Sequence, residues 1–200
     1  MLAVVAALVL VAAAVAVPLV LSGEDDLDHQ ASDPGSPSQE SEEDVDTSNL
    51  DLVEEYDGLD PTHVPGDVDY PQSPPVGGNH APEWLECGVY DVPVREENVV
   101  HDLEHGTTWL TYREDLVDAD GVEQLVAQLP DNGILSPYPD QEAPVVITSW
   151  GRQLELTGPD DPRIGLFVAE YGAGETAPEP FASCNGGLTD PEGSRAGTDV

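Results

Sequence analysis

Residues 96–113 read EENVVHDLEHGTTWLTYR, and they contain two periodicities with a break between them. Up to His105 the apolar residues recur at helical spacing. Val99, Val100 and Leu103 fall within an arc of about 100° when each residue advances about 100°. Gly106 is a natural stop, because glycine enters the left-handed conformation without a Cβ clash. From Thr107 to Arg113 the residues are mostly β-branched or aromatic, which predicts a strand. A helix over Glu96–His105 is therefore expected to hand over directly to a strand over Thr107–Arg113.

The polar side of that helix carries the chemistry. Measured around the helix axis from His101, His105 falls at about 40°, Glu97 at about −40° and Glu104 at about −60°. These residues lie opposite the apolar stripe, so they are poor candidates for packing against a sheet. Neutral imidazoles and carboxylates are the donors of zinc, copper and iron sites. The same groups can also move protons.

Working outward, Leu85–Val92 is expected as a strand, Val122–Leu129 as a helix and Gly133–Ser136 as a short strand. Pro144–Trp150 and Gln153–Thr157 read as a hairpin, and Arg163–Tyr171 reads as a helix. Asn49–Tyr56 allows no more than a short helical turn. Pro61–Pro82 is rich in proline and glycine and is expected as an extended loop carrying His63 and His80. The fold class expected is α/β in the α+β sense: a small, mostly antiparallel sheet with two or three helices. Trp84, Trp109 and Trp150 are expected as core and pocket walls.

The chain has 200 residues, with 41 acidic side chains against five arginines and no lysine, for a net charge of −36. Such a field repels nucleic acid and anionic membrane surfaces and attracts cations. It also suits a halophilic environment, where salt screens the self-repulsion.

Residues 1–22 are a different material. Met1–Leu21 has no charged side chain and as a helix would be about 31 Å long, enough to cross a bilayer core. The expectation is a membrane anchor, or a secretory signal if cleavage follows Ala14-Val15-Ala16. Both place the remainder outside the cytoplasm, tethered in the first case and secreted in the second. Residues 23–60 are acidic and rich in serine and proline, and are expected as a disordered linker. The globular domain is expected over 61–191 and a disordered tail over 192–200. Cys87 and Cys184 are the two cysteines. Outside the cytoplasm they read first as a disulfide, worth about 4–5 kcal/mol in the chain-entropy model. The alternative is a pair of thiolate metal ligands.

His101-x-x-Glu104-His105 matches the H-x-x-E-H pattern of the inverzincin metallopeptidases. Gly106 ends the helix too early for that site, and the domain is small for a peptide cleft. No G-x-S-x-G, G-x-G-x-x-G or GK[ST] pattern occurs.

Further motifs carry a resemblance. Tyr70…Pro74-Pro75…Gly78-x-His80…Trp84…Cys87-Gly88-Val89-Tyr90 is followed by His101-x-Leu103-Glu104-His105-Gly106…Tyr112. Ser149-Trp150-Gly151 and Pro178-Glu179-Pro180…Cys184 complete the series. Its order and spacing resemble the domain of unknown function 3105 family over about residues 61–187. Val76-Gly77-Gly78 stands where the family has x-Ser-Gly, a change that leaves the turn intact. The resemblance implies that His80, His101, Glu104 and His105 belong to the family pattern. It also implies an N-terminal membrane segment with an extracytoplasmic domain, and it carries no established activity.

Three functional readings follow. In the first, the domain binds a transition metal (zinc, copper or iron) through His101 and His105, completed by His80, Glu104 and His63. The second is a non-catalytic module of the cell envelope whose histidines bond to the Pro/Gly loop. The third is an enzyme using His101 or His105 as general base, which requires an enclosed pocket and a perturbed histidine. The discriminating quantity is the approach of His80 to His101, with about 5 Å needed for one ion to be shared.

Overall fold

The structure is a computed structural model, and residues 45–193 are described. Residues 1–22, the linker before residue 45 and the tail from 194 lie outside the described residues. Among the described residues no helix is long and apolar enough to cross a membrane.

The elements, in chain order, are β1 Glu54–Glu55, β2 Gly88–Val89, α1 Glu96–Glu104, β3 Thr108–Tyr112, α2 Ala119–Gln128, β4 Gly133–Pro137, β5 Val145–Ser149, β6 Arg152–Leu156 and α3 Arg163–Tyr171. The strands form one mixed sheet in the order β1-β6-β5-β3-β4-β2. It is antiparallel through β1, β6, β5 and β3 and parallel through β3, β4 and β2. The parallel part follows from α2, which crosses over between β3 and β4 and returns the chain in the same direction. This is the expected α+β fold.

Strand alternation gives the sheet two unlike faces. Leu110, Tyr112, Leu135, Val145, Ile147, Leu154 and Leu156 point to one side. There they form a core with Val117, Leu125, Ile164 and Phe167 beneath α2 and α3. On the other side Trp109 and Ile134 pack with Val99, Val100 and Leu103 of α1, and with Leu85, Tyr138 and Trp150. That second face also carries buried polar groups. Trp109 donates to Ser136 Oγ at 3.0 Å, and Gln153 donates to Thr148 Oγ1 at 3.1 Å and to Pro74 O at 2.9 Å. The last bond fastens the Pro/Gly loop to the sheet.

Some boundaries differ from expectation. Over Leu85–Val92 only Gly88–Val89 joins the sheet, while Leu85 makes an isolated bridge to Leu188. Gly88 has φ of 143°, and after Tyr90 N donates to Leu135 O the chain bends away at Asp91–Val92. The second helix begins at Ala119 because Asp118 caps it, accepting from Gly121 N at 2.9 Å. Part of the segment expected as linker is packed chain: Leu50 and Val53 lie on the α2/α3 core, and Glu54–Glu55 pair with β6. There Val53 N donates to Leu50 O at 3.0 Å in a single short turn, and the chain then runs on into the two-residue edge strand. Cys87 and Cys184 form the expected disulfide.

Candidate metal centre

The centre is built from α1 and from two segments laid against it. The glutamates in the first turn of α1 suit the positive end of the helix. At the other end His105 is the C-cap, and Gly106 follows with φ of 80°. A Cβ at Gly106 would stand 2.8 Å from Gly174 Cα, so glycine is needed there both for conformation and for space. That close approach brings the C-terminal segment to the end of α1, where Glu179 N donates to Glu104 O at 3.0 Å. α1 is mostly polar, yet Glu97 through Glu104 are all buried. Its apolar stripe meets the sheet, and its histidine side meets the Pro/Gly loop.

That loop is shaped by Gly77 and Gly78, with φ of 138° and 118°. A Cβ at Gly77 would collide with Leu59 and press on the Trp150 ring. The turn delivers His80 to the floor of the site, where it is fully buried. His63 pairs beside it as an isolated parallel bridge, with Val64 N donating to His80 O at 2.8 Å.

Three imidazoles are oriented by backbone carbonyls. His80 Nδ1 lies 2.8 Å from Gly78 O, His101 Nδ1 lies 2.8 Å from Ala81 O, and His105 Nδ1 lies 3.3 Å from Ser183 O. A carbonyl only accepts, so each of these Nδ1 atoms carries the proton and donates it. When the ring is neutral its Nε2 is then a bare lone pair. His80 Nε2 points at Glu104 Oε2, 3.0 Å away. His63 Nε2 stands 3.4 Å and His101 Nε2 4.0 Å from the same oxygen. One donor atom from each of His63, His80, His101 and Glu104 can be chosen so that all lie within 4.8 Å of one another. The His80 and His101 ring centroids are 5.0 Å apart, and His63 stacks on His101 at 4.7 Å.

His105 stands beside this group, its Nε2 3.1 Å from that of His101 and 3.7 Å from Glu179 Oε2. Trp84 walls both rings, with centroids 5.5 Å from His101 and 5.0 Å from His105. Burial pushes the His101 pKa down to about 4, against the pull of the Ala81 carbonyl, and the neighbouring His105, His80 and His63 add to the effect. His101 is therefore neutral near pH 7, the form that ligates metal.

A family model described as Protein of unknown function (DUF3105) matches residues 63–186. The chain belongs to this family. No curated protein and no solved structure matches the chain. The match begins at His63 and spans both cysteines, so the whole cluster falls inside the DUF3105 domain.

Of the residues singled out from the DUF3105 sequence, His63, His80, His101 and Glu104 come together and His105 adjoins them. Glu97, which shares their arc on the helical wheel, goes elsewhere: it pairs with Arg95 at 3.1 Å and accepts from Val68 N at 2.8 Å. Sequence reasoning missed Glu179 and the three orienting carbonyls. Glu179 sits in the Pro178-Glu179-Pro180 motif, which was the one available signal. Carbonyls leave no signature in side-chain identity.

Proposed function

We propose that this DUF3105 domain binds one transition-metal ion, zinc, copper or iron, through His80, His101 and Glu104, with His63 as a further ligand. One observation carries the reading: the neutral rings of His80 and His101 turn bare Nε2 atoms toward the buried Glu104 carboxylate. With Nδ1 of His80 and His101 committed to carbonyls, their Nε2 lone pairs and the Glu104 carboxylate face one another in a buried space. Lone pairs packed this way repel unless a cation sits between them. Backbone carbonyls that fix the ring tautomer are the usual support of histidine ligands. Three nitrogens and one oxygen suit a borderline ion better than calcium or magnesium, which take oxygen donors. His105, with its Nε2 3.1 Å from that of His101, stays outside the four-residue donor group.

Elemental analysis of full-length protein purified without a tag tests this directly. About one equivalent of metal per chain is expected, and close to none in His80→Ala/His101→Ala. Equal metal in both proteins, or none in either, would sink the proposal.

A second reading rests on the same 3.0 Å contact between His80 and Glu104. If His80 is protonated, that contact is a charged hydrogen bond and the cluster is a structural lock. In that case added metal gives no gain in stability, while the double variant unfolds more easily.

The domain is further proposed to stand outside the cytoplasm, with residues 1–22 as anchor or signal. The disulfide supports this, because such bonds persist in oxidising compartments.

A further inference from the structure

We infer that His63 is an exchangeable ligand, and that its place in the centre is a coordination position open to small neutral nitrogen or oxygen donors from solvent. The inference rests on the metal-site reading above and deepens it. The four donor residues are not held alike. The His80 side chain is fully buried and those of His101 and Glu104 are almost so, whereas that of His63 is 48% exposed. His80 and His101 each have Nδ1 fixed by a carbonyl 2.8 Å away. Among the described residues no hydrogen bond fixes Nδ1 of His63. Its side chain is held by the Glu104 contact at 3.4 Å and by ring contacts with His80 and His101. A ligand without an outer partner loses little when it leaves the metal, because no buried hydrogen bond breaks with it. Its departure exposes the ion on the one side that already faces water.

The slot that His63 would vacate has a defined chemistry. The His101 ring forms one wall, nearly parallel to His63 at an interplanar angle of 21°, and the His80 ring forms an edge wall at 76°. A flat donor fits between such walls. The chain carries a net charge of −36, and that field disfavours anions relative to neutral donors. Water, and planar heterocycles of the imidazole class, are the ligands that match.

The test uses the full chain loaded with cobalt(II), whose visible spectrum reports its ligands. His63→Ala is expected to keep about one equivalent of metal, with affinity weakened by no more than about tenfold. Its altered spectrum should return toward wild type when millimolar imidazole is added, and far less with equal azide. His80→Ala is expected to lose metal and to gain nothing from imidazole, because its ring position is walled off from solvent. His63→Gln serves as the second variant, and near-ultraviolet circular dichroism shows that each protein is folded. If His63→Ala loses metal as completely as His80→Ala, or if imidazole leaves its spectrum unchanged, the exchangeable position is overturned. If azide restores the spectrum better than imidazole, the preference for neutral donors is overturned. If wild type takes up no metal, the metal-site reading falls and this inference falls with it.

Discussion

Two buried polar clusters sit on opposite sides of the sheet, and they are satisfied in opposite ways. At the start of α3, Asp161 accepts from Thr157 N, Thr157 Oγ1, Arg163 N, Arg163 Nε and Arg163 Nη2, at 2.7 to 3.2 Å. Its acceptors are answered from within the chain. Burial raises the Asp161 pKa, but the Arg163 and Thr157 hydrogen bonds outweigh it and hold the group down at about 2. At the end of α1, the Glu104 carboxylate and Nε2 of the neutral His80 ring face each other as acceptors, with Nε2 of His63 3.4 Å from the same oxygen. The first cluster is balanced in charge from within, though Arg163 Nη1 is left without a hydrogen bond. The second is complete only with protons or a cation from outside. Burial is common to both clusters; what differs is whether the acceptors meet donors within the chain.

The comparison breaks most visibly at Asp161. Asp161→Ala leaves the Arg163 guanidinium, 1% exposed, without its counter-charge. Removing one partner of a buried pair costs about 3–5 kcal/mol. Urea unfolding should show that loss, and metal content per folded chain should stay at the wild-type value. If the loss is below about 1 kcal/mol, α3 is not locked by this pair.

The second cluster should gain from outside what the first has within. A ligand that binds the folded state alone stabilises it by about 4 kcal/mol at a thousandfold excess over Kd. Thermal unfolding of the metal-free chain, titrated with zinc, copper(II) or iron(II), should reveal such a gain for at least one ion. His80→Ala should abolish it. Absence of any shift with every ion would make the His/Glu cluster a structural lock after all.

Acid should separate the clusters in sign as well as place. The folded pKa of His101 is lowered to about 4 from an ordinary 6.5. Below pH 6.5 the unfolded chain therefore takes up a proton that the folded chain refuses. Stability of the metal-free protein should be fully present above pH 6.5 and fall between pH 6.5 and 4, by up to about 3 kcal/mol. Asp161 contributes its loss lower, as pH drops from its ordinary 3.8 through about 2. His101→Asn should flatten the upper part of the profile and leave the lower part in place. An unchanged slope between pH 6.5 and 4 would remove His101 as its cause.

How far this arrangement was legible depends on what each residue's neighbours supply. The α1–Gly106–β3 unit could be read from period and punctuation, because both are local. The separation of His101, Glu104 and His105 from the apolar stripe followed from the helical wheel. That His80 and His63 would meet them was a matter of composition until the Gly77–Gly78 turn fixed the loop. Glu97 shows the limit of the wheel. It shares the arc of the histidines, but Arg95, two residues before it, turns it toward Val68. Leu85–Val92 shows the limit of alternation, which cannot register that the chain pairs over only two residues and bends away at Asp91–Val92. The Asp161–Arg163 pair gave no signal, since two charges in an acidic chain look like ordinary surface.

The finest division lies inside the second cluster, at its edge. Glu179 Oε2 is 3.7 Å from His105 Nε2, and the Glu179 side chain is 61% exposed. Its backbone nevertheless holds the end of α1, through the bond from Glu179 N to Glu104 O. Exposed ion pairs contribute about 0–1 kcal/mol, because water screens them and the side chain loses freedom by pairing. Glu179→Ala keeps the backbone bond and removes only the carboxylate. It should therefore change stability by less than about 1 kcal/mol and metal affinity by less than about fivefold, read by chelator competition. Glu104→Gln, which changes a buried ligand atom facing three imidazoles, should weaken the metal far more. Equal losses in the two variants would move Glu179 and His105 from the margin into the ligand set, and the centre would then extend across the end of α1 rather than lie on one side of it.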